Sequence, residues 1–403
     1  MSITSRTPRQ PMPEPAPPPA AAPEPAAPAP ARPPRLAAVD LLRLVAALAV
    51  ASFHYLGTSS AAYWGEAPDD FTHHLHRMSM YGWLGVEAFF LISGFVICMS
   101  AWGRTPGQFA VSRLARLYPT YWAALALVVL CFAVTLRNVD DLKETVAPRV
   151  IAANLTMAPG AMHVPLLDGV AWTLWVEGRF YLIMAVVLAF GFTYHRMLGF
   201  CTTWLGVSAL TVETNNRLLY GIAMPGYSGL FVAGIALYLM YRFGQNLLLW
   251  MLLAVSWFFQ LSMLYGRTSA HGIDDSSTQH TSWLISTALL TGFLALLMLA
   301  TLGPLAKLQW RWLVTAGALT YPFYLVHHAI GVPVGKELSA HVSALGPYPT
   351  VLITLVAMLV LARLMNVYVE NPFGRIMRRE LAKGLNPPKA RAEAAAAAAG
   401  KGG

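Results

Sequence analysis

Charge is scarce in this chain. Of its 403 residues only 12% are Asp, Glu, Lys or Arg, against 56% hydrophobic, and the mean hydropathy is +0.52. Soluble domains carry about a quarter charged residues. So few charges cannot cover a water-facing surface, so lipid must cover much of this one. Acidic residues are scarcer than basic ones, 19 against 28, for a formal charge of +9. That excess does not point to nucleic acid. The basic residues fall between hydrophobic stretches rather than on one face, as in the cytoplasmic loops of membrane proteins. Cysteine is nearly absent. Cys98, Cys131 and Cys201 all lie in apolar runs. Their spacing makes neither a disulfide framework nor a metal site, so they read as small buried hydrophobes and no metal is expected. No internal repeat is visible, which disfavours an inverted-repeat transporter.

What is abundant is long apolar sequence. A membrane span needs roughly 20 apolar residues. Candidates lie near 36–58, 82–101, 118–136, 171–192, 197–211, 222–241, 246–266, 282–302, 311–331 and 350–370. The expected fold class is therefore all-α, a polytopic transmembrane helix bundle with about ten spans. Residues 1–34 are mostly Pro and Ala and are expected to be a disordered tail, not a signal peptide. Residues 35–383 form the membrane domain, and 384–403 a second Pro-, Lys- and Ala-rich tail. Topology follows from the basic residues. An inner amino terminus puts Arg104, Arg113, Arg116, Arg196, Arg242, Lys307, Arg311 and the basic carboxyl tail inside. Arg77, Arg137, Lys143, Arg149, Arg217, Arg267 and Lys336 then fall outside. The inner excess favours an even number of spans with both termini cytoplasmic.

Several ionisable residues fall inside or beside these spans, where they are costly and usually functional. Arg43 and His54 are eleven residues apart in the first span. At 100° per residue they differ by about 20° and so share a face, about 16 Å apart along the axis. Ala47, Val50 and Ala51 lie on that face between them. One reading is an apolar channel with a cation at its inner end and a base at its outer end. The other is that Arg43 snorkels inward and His54 sits at the outer interface. Gly82 to Phe95 holds Gly85, Ser93 and Gly94, which let helices approach closely, and Glu87, a carboxylate too expensive to face lipid. Arg113 and Arg116, at i and i+3, can converge on one anion such as a phosphate, or simply anchor the inner end of a helix. Glu177 follows Trp172 and Trp175 near the outer end of the fourth span, at a depth expected to match His54. There it can orient an imidazole or pair with Arg179. Trp172, Trp175 and Tyr181 suit an aromatic interface. His327 and His328 end the ninth span, and Glu370-Asn371-Pro372-Phe373 the tenth.

Taken in order, these segments resemble the integral-membrane acyltransferase-3 family. The matching segments are Arg43 through His54, Phe89-Phe90…Ser93-Gly94-Phe95, Arg113…Arg116…Pro119, Trp172-Thr173-Leu174…Glu177…Phe180-Tyr181, Tyr324-Leu325-Val326-His327 and Glu370-Asn371-Pro372-Phe373. They span about residues 36–375. Gly178-Arg179 departs from the acidic or amide residues the family more often has there. The resemblance implies a bacterial plasma-membrane enzyme that moves an acyl group from acyl-CoA, with acetyl-CoA the expected donor, to a hydroxyl. The acceptor it implies is a carbohydrate, a cell-envelope glycan or a glycosylated metabolite such as a macrolide. It makes His54 the general base and Arg43 its essential partner, with Glu177 expected from its placement to orient the base. It puts Arg113 and Arg116 at the acyl-donor site; Trp172, Tyr181 and His327 are expected to bind substrate. The rival reading is a transporter or flippase of a lipid-linked or small amphipathic substrate, with the same charges lining its path.

Overall fold

The structure, a computed structural model, describes residues 36–58, 61–135, 143–214, 216–270 and 281–385. The expected tail 1–34 and all of the second tail beyond Leu385 lie outside the described residues. Within them every element is a helix. Ten helices of 16 residues or more build the bundle: α1 (Ala37–Ser52), α2 (Leu84–Ala101), α3 (Pro106–Thr135), α4 (Trp172–Ala189), α5 (Tyr194–Val212), α6 (Pro225–Phe243), α7 (Leu247–Ala270), α8 (Trp283–Thr301), α9 (Arg311–Val326) and α10 (Pro347–Met365). An amphipathic helix, α11 (Asn371–Leu385), follows and lies along α3. Each expected apolar run falls on one of the ten. Eight segments are long and apolar enough to cross a membrane by length and composition. α5 and α9 complete the set; the apolar part of α9 is the shorter stretch Trp312–Val326, interrupted by Pro322, which lacks a helix N–H donor.

Large apolar side chains point outward on many of these helices. Phe190, Leu210, Phe258 and Leu284 are each about 70% exposed. In water that surface would be untenable at this extent, whereas hydrocarbon solvates it. The protein is an integral membrane protein.

α6 is the central helix, with every residue from Ser228 to Met240 buried. It crosses α2 at a glycine pair. A Cβ on Gly234 would lie 2.2 Å from the Leu91 carbonyl oxygen, and one on Gly94 would lie 2.2 Å from the Phe231 oxygen. Without a hydrophobic drive between helices in lipid, this kind of close backbone packing is a main source of association. One apolar core forms around α2, α6, α5, α7 and α8. A second joins the middle of α1 to α3, α9 and α10. Cys98 and Cys201 are buried and Cys131 is half-buried, all three as free thiols. Between the two cores the helices part to form cavities.

Candidate functional site

The termini end of the bundle opens into a first cavity, about 760 Å³, that holds the arginines. Arg43 from α1 and Arg113 and Arg116 from α3 line it, with Ser93 and Phe89 of α2 and Glu177 and Tyr181 of α4. Arg113 and Arg116 border the same cavity, and Arg43 joins them. Glu177 accepts a hydrogen bond from the Ser93 hydroxyl at 2.9 Å. The charges of Asp40, Glu177 and Arg116 all act on Arg43. Glu177 therefore belongs with Arg43 rather than with His54. The equal-depth expectation fails for a geometric reason. α4 begins at Trp172, so Glu177 lies about 7.5 Å down the helix axis. Trp172 stays at the opposite end. Arg179 turns away from both groups, donating to the Gly221 carbonyl at 2.7 Å and lying over the Trp175 ring.

His54 lines a second cavity of about 660 Å³, walled by Val50, Glu87, Trp172, Tyr227 and Arg267 among others. It sits where α1 widens into a π-turn, Phe53–Gly57, a distortion frequent at functional sites. The end of a helix leaves carbonyls unpaired, and here side chains satisfy them. Thr58 Oγ1 donates to His54 O at 3.2 Å, Trp64 Nε1 to Tyr55 O at 2.6 Å and His76 Nδ1 to Leu56 O at 2.5 Å. The turn that aims His54 is thus pinned from three sides. The Tyr55 hydroxyl donates to His327 O at 2.7 Å, tying this turn to the end of α9.

Three imidazoles meet there. The His54 ring centroid lies 5.4 Å from that of His327 and 4.4 Å from that of His328. His327 is fully buried and donates from Nδ1 to Tyr324 O at 2.7 Å. That bond fixes the neutral ring with its proton on Nδ1. His327 Nε2 and His328 Nδ1 find no protein partner. His327 lines neither cavity; its ring backs His54. Glu87, nearly inaccessible, forms an ion pair with Arg267 of α7. Arg267 also donates to Gly226 O and stacks over Tyr227 at 4.7 Å. The pair answers the cost of placing a carboxylate in α2. Sequence reasoning singled out Glu87, but it reads Arg267 only as an outer charge and does not name Tyr227. The available signal was an arginine closing a long apolar run, opposite a carboxylate that needed a cation.

The two cavities share Val86 and Tyr324 as walls. Tyr324 is held by Thr173 Oγ1 at 2.9 Å and donates to Val170 O at 3.2 Å. Asp168 caps the turn that carries Val170, accepting from Val170 N at 3.2 Å. Burial pushes the Asp168 carboxyl up to about 7.

The acyltransferase-3 family, described as an acyltransferase domain, matches residues 36–367, which contain both cavities. The chain belongs to this family. A curated protein called "Protein 2 in picA locus", from Rhizobium radiobacter, is 31% identical over 128 residues. That alignment covers 27% of this chain and 63% of the Rhizobium protein. No solved structure matches. Within the region matched by the acyltransferase-3 family, Arg43, Arg113 and Arg116 line one cavity and His54 lines the other. Among the described residues no group of His, Cys, Asp and Glu could hold a metal ion.

Proposed function

We propose that this acyltransferase-3 member is an acyl-CoA-dependent O-acyltransferase, with acetyl-CoA as donor and a hydroxyl on a carbohydrate or glycosylated molecule as acceptor. The observation that carries this reading is the pair of adjoining cavities. One is lined by three arginines, whose forked donors suit phosphate oxygens. The other is lined by the imidazole of His54, a side chain that can take up and release a proton. A ligand whose phosphates rest on Arg43, Arg113 and Arg116 can send a thin arm past Val86 and Tyr324 to His54. Pantetheine has that shape. The acceptor enters the second cavity, where Trp172 and Tyr227, with ring centroids 5.9 Å apart, offer flat faces to a sugar ring. Arg267, which is partly exposed, offers it hydrogen bonds.

In the reaction the acceptor hydroxyl attacks the thioester carbonyl as His54 takes its proton. A C–O bond forms, the C–S bond breaks, and the proton passes from His54 to the departing thiolate. The arginine of this cavity, Arg267, is balanced by Glu87, which leaves His54 able to start as a neutral base. Holding donor and acceptor in adjoining cavities removes much of the entropic barrier. This reading puts the termini end in the cytoplasm, where acyl-CoA is found, in line with the basic residues counted there.

The test is transfer by the purified protein, given labelled acetyl-CoA and a panel of sugar acceptors in detergent. His54→Gln should insert normally and lose transfer by at least roughly 10²-fold, the scale of a general base. His327→Ala should cost less. Undiminished transfer in His54→Gln, or no acetyl-CoA-dependent product from the wild type, would overturn the reading.

A further inference from the structure

A third cavity opens beside the first at the termini end. It is lined by Arg104, Gln108, Ser112, Arg113, Arg116 and Arg378, with no carboxylate in its wall. Arg113 and Arg116 belong to both cavities, so the pair stands at a doorway between the membrane interior and the surface. Arg104 comes just before α3 and Arg378 from α11. Both are exposed, whereas Arg113 and Arg116 are half-buried. α11 is held in place on α3 by packing. The Leu385 side chain covers Gly107, and Gly374 rests against Ala115 O. The nearest acid on α11, Glu380, pairs with Lys383 at 2.6 Å and Arg379 at 3.7 Å. Arg378 is therefore left facing the cavity.

We propose that Arg104 and Arg378 form a second anion clamp, which grips the 3′-phosphate at the adenosine end of CoA while Arg113 and Arg116 hold its pyrophosphate. The proposal rests on the acyl-CoA reading above and extends it to residues outside the membrane cavity. The charge balance argues for it. CoA carries a diphosphate and a separate phosphomonoester, about four negative charges near neutral pH. The membrane cavity supplies three arginines, one of them facing Glu177. A long polyanion bound there leaves its phosphomonoester uncompensated unless further cations lie outward. From Pro106, two residues after Arg104, α3 rises about 15 Å to Arg116. Arg104, Arg113 and Arg116 thus form a cationic ladder along which an extended ligand can lie. α11, which lies along α3, becomes part of the donor site.

The experiment compares CoA with 3′-dephospho-CoA, binding to the purified full-length protein by calorimetry in phosphatidylcholine nanodiscs. The wild type should bind CoA at least about tenfold more tightly than the dephospho form, the scale of one charged hydrogen bond. Arg104→Gln and Arg378→Gln should each weaken CoA binding toward the dephospho value and leave dephospho-CoA binding unchanged. Arg378→Lys should recover part of the preference, since a point charge replaces the fork. A wild type that binds both ligands equally, or variants that weaken both alike, would overturn the clamp and leave the acyl-CoA reading standing. A wild type that binds neither would overturn both. An anionic lipid headgroup is the other phosphate source. If it were the occupant, adding phosphatidylglycerol would abolish the CoA preference of the wild type, and that result too would refute the clamp.

Discussion

The glycine crossing between α2 and α6 allows a sharp test of what holds the site together. In Gly234→Ala the new methyl would lie 2.2 Å from Leu91 O, 2.7 Å from Phe95 N and 2.9 Å from Gly94 Cα. All three are backbone atoms, so no rotamer change relieves the clash. Ordinary contact needs about 3.5 Å, and the helices must therefore part by about 1 Å. Overpacking of this kind costs about 1–3 kcal/mol, and backbone opposition puts the cost near the upper value. Spread over the unfolding entropy of a chain this long, a loss of 3 kcal/mol lowers the melting temperature by about 4 °C. The control is Gly199→Ala in the middle of α5, where a Cβ meets nothing within 4 Å. That change should be neutral or slightly stabilising, because alanine favours a helix over glycine by up to about 1 kcal/mol. The two substitutions are chemically identical and should move thermal stability in opposite directions. The assay is the melting temperature of purified variants in one detergent, followed by intrinsic fluorescence. Gly234→Ala should also lose activity while still folded, because α2 carries Val86 and Ser93 and α6 carries Tyr227. Equal melting temperatures in the two variants would refute the argument that this crossing needs a bare backbone.

Arg113→Ala and Arg116→Ala should each weaken acyl-CoA binding about tenfold or more while leaving insertion intact, with Arg→Lys recovering only part of it; unchanged affinity in both Ala variants, measured by calorimetry, would reduce the pair to membrane anchors. Asp168 should make stability depend on pH. Its carboxyl keeps its proton in the folded state up to about 7, whereas the unfolded chain loses it near 4. The folded state thus binds more protons between these values, and stability should fall by about 1.4 kcal/mol per pH unit as pH rises through that window, then level off. Asp168→Asn should flatten the melting-temperature profile between pH 4 and 7; a profile identical to the wild type would remove Asp168 from the account. Deleting residues 1–34 should leave transfer per milligram of purified protein unchanged, since the segment has few apolar groups to pack; a large loss at normal membrane levels would give it a binding role.

The helices were legible in the sequence because each membrane span must satisfy its own backbone, so a run of apolar residues is already a structural unit. The shared face of Arg43 and His54 was legible for the same reason: both lie on one helix, and periodicity alone relates them. Pairings between helices were not. Glu87 and Arg267 are 180 residues apart, and no local pattern links them. Position in the sequence does not show that five residues of helix carry Glu177 inward, to Arg43 rather than His54. The π-turn at Phe53–Gly57 leaves no local signature either. Its supports, Trp64 and His76, lie in the segment between the first two spans. Arg378 looked like one of many tail charges until α11 was seen against α3.

The wall between the cavities has an electrical consequence. Val50, Val170 and Tyr324 form a small apolar cluster, with Val86 and Phe89 packed on it. A bundle hollowed from both ends lies close to being a pore. Water columns that met at this level would let protons run down the membrane potential each time a product left. A constriction lined by valine and aromatic rings sheds water and so insulates. A slim, uncharged acyl arm can slip through such a constriction, but a hydrated ion cannot. On the acyl-CoA reading proposed above, the same few side chains would let a cell carry a thioester's reactive end across its membrane without short-circuiting the energy stored there.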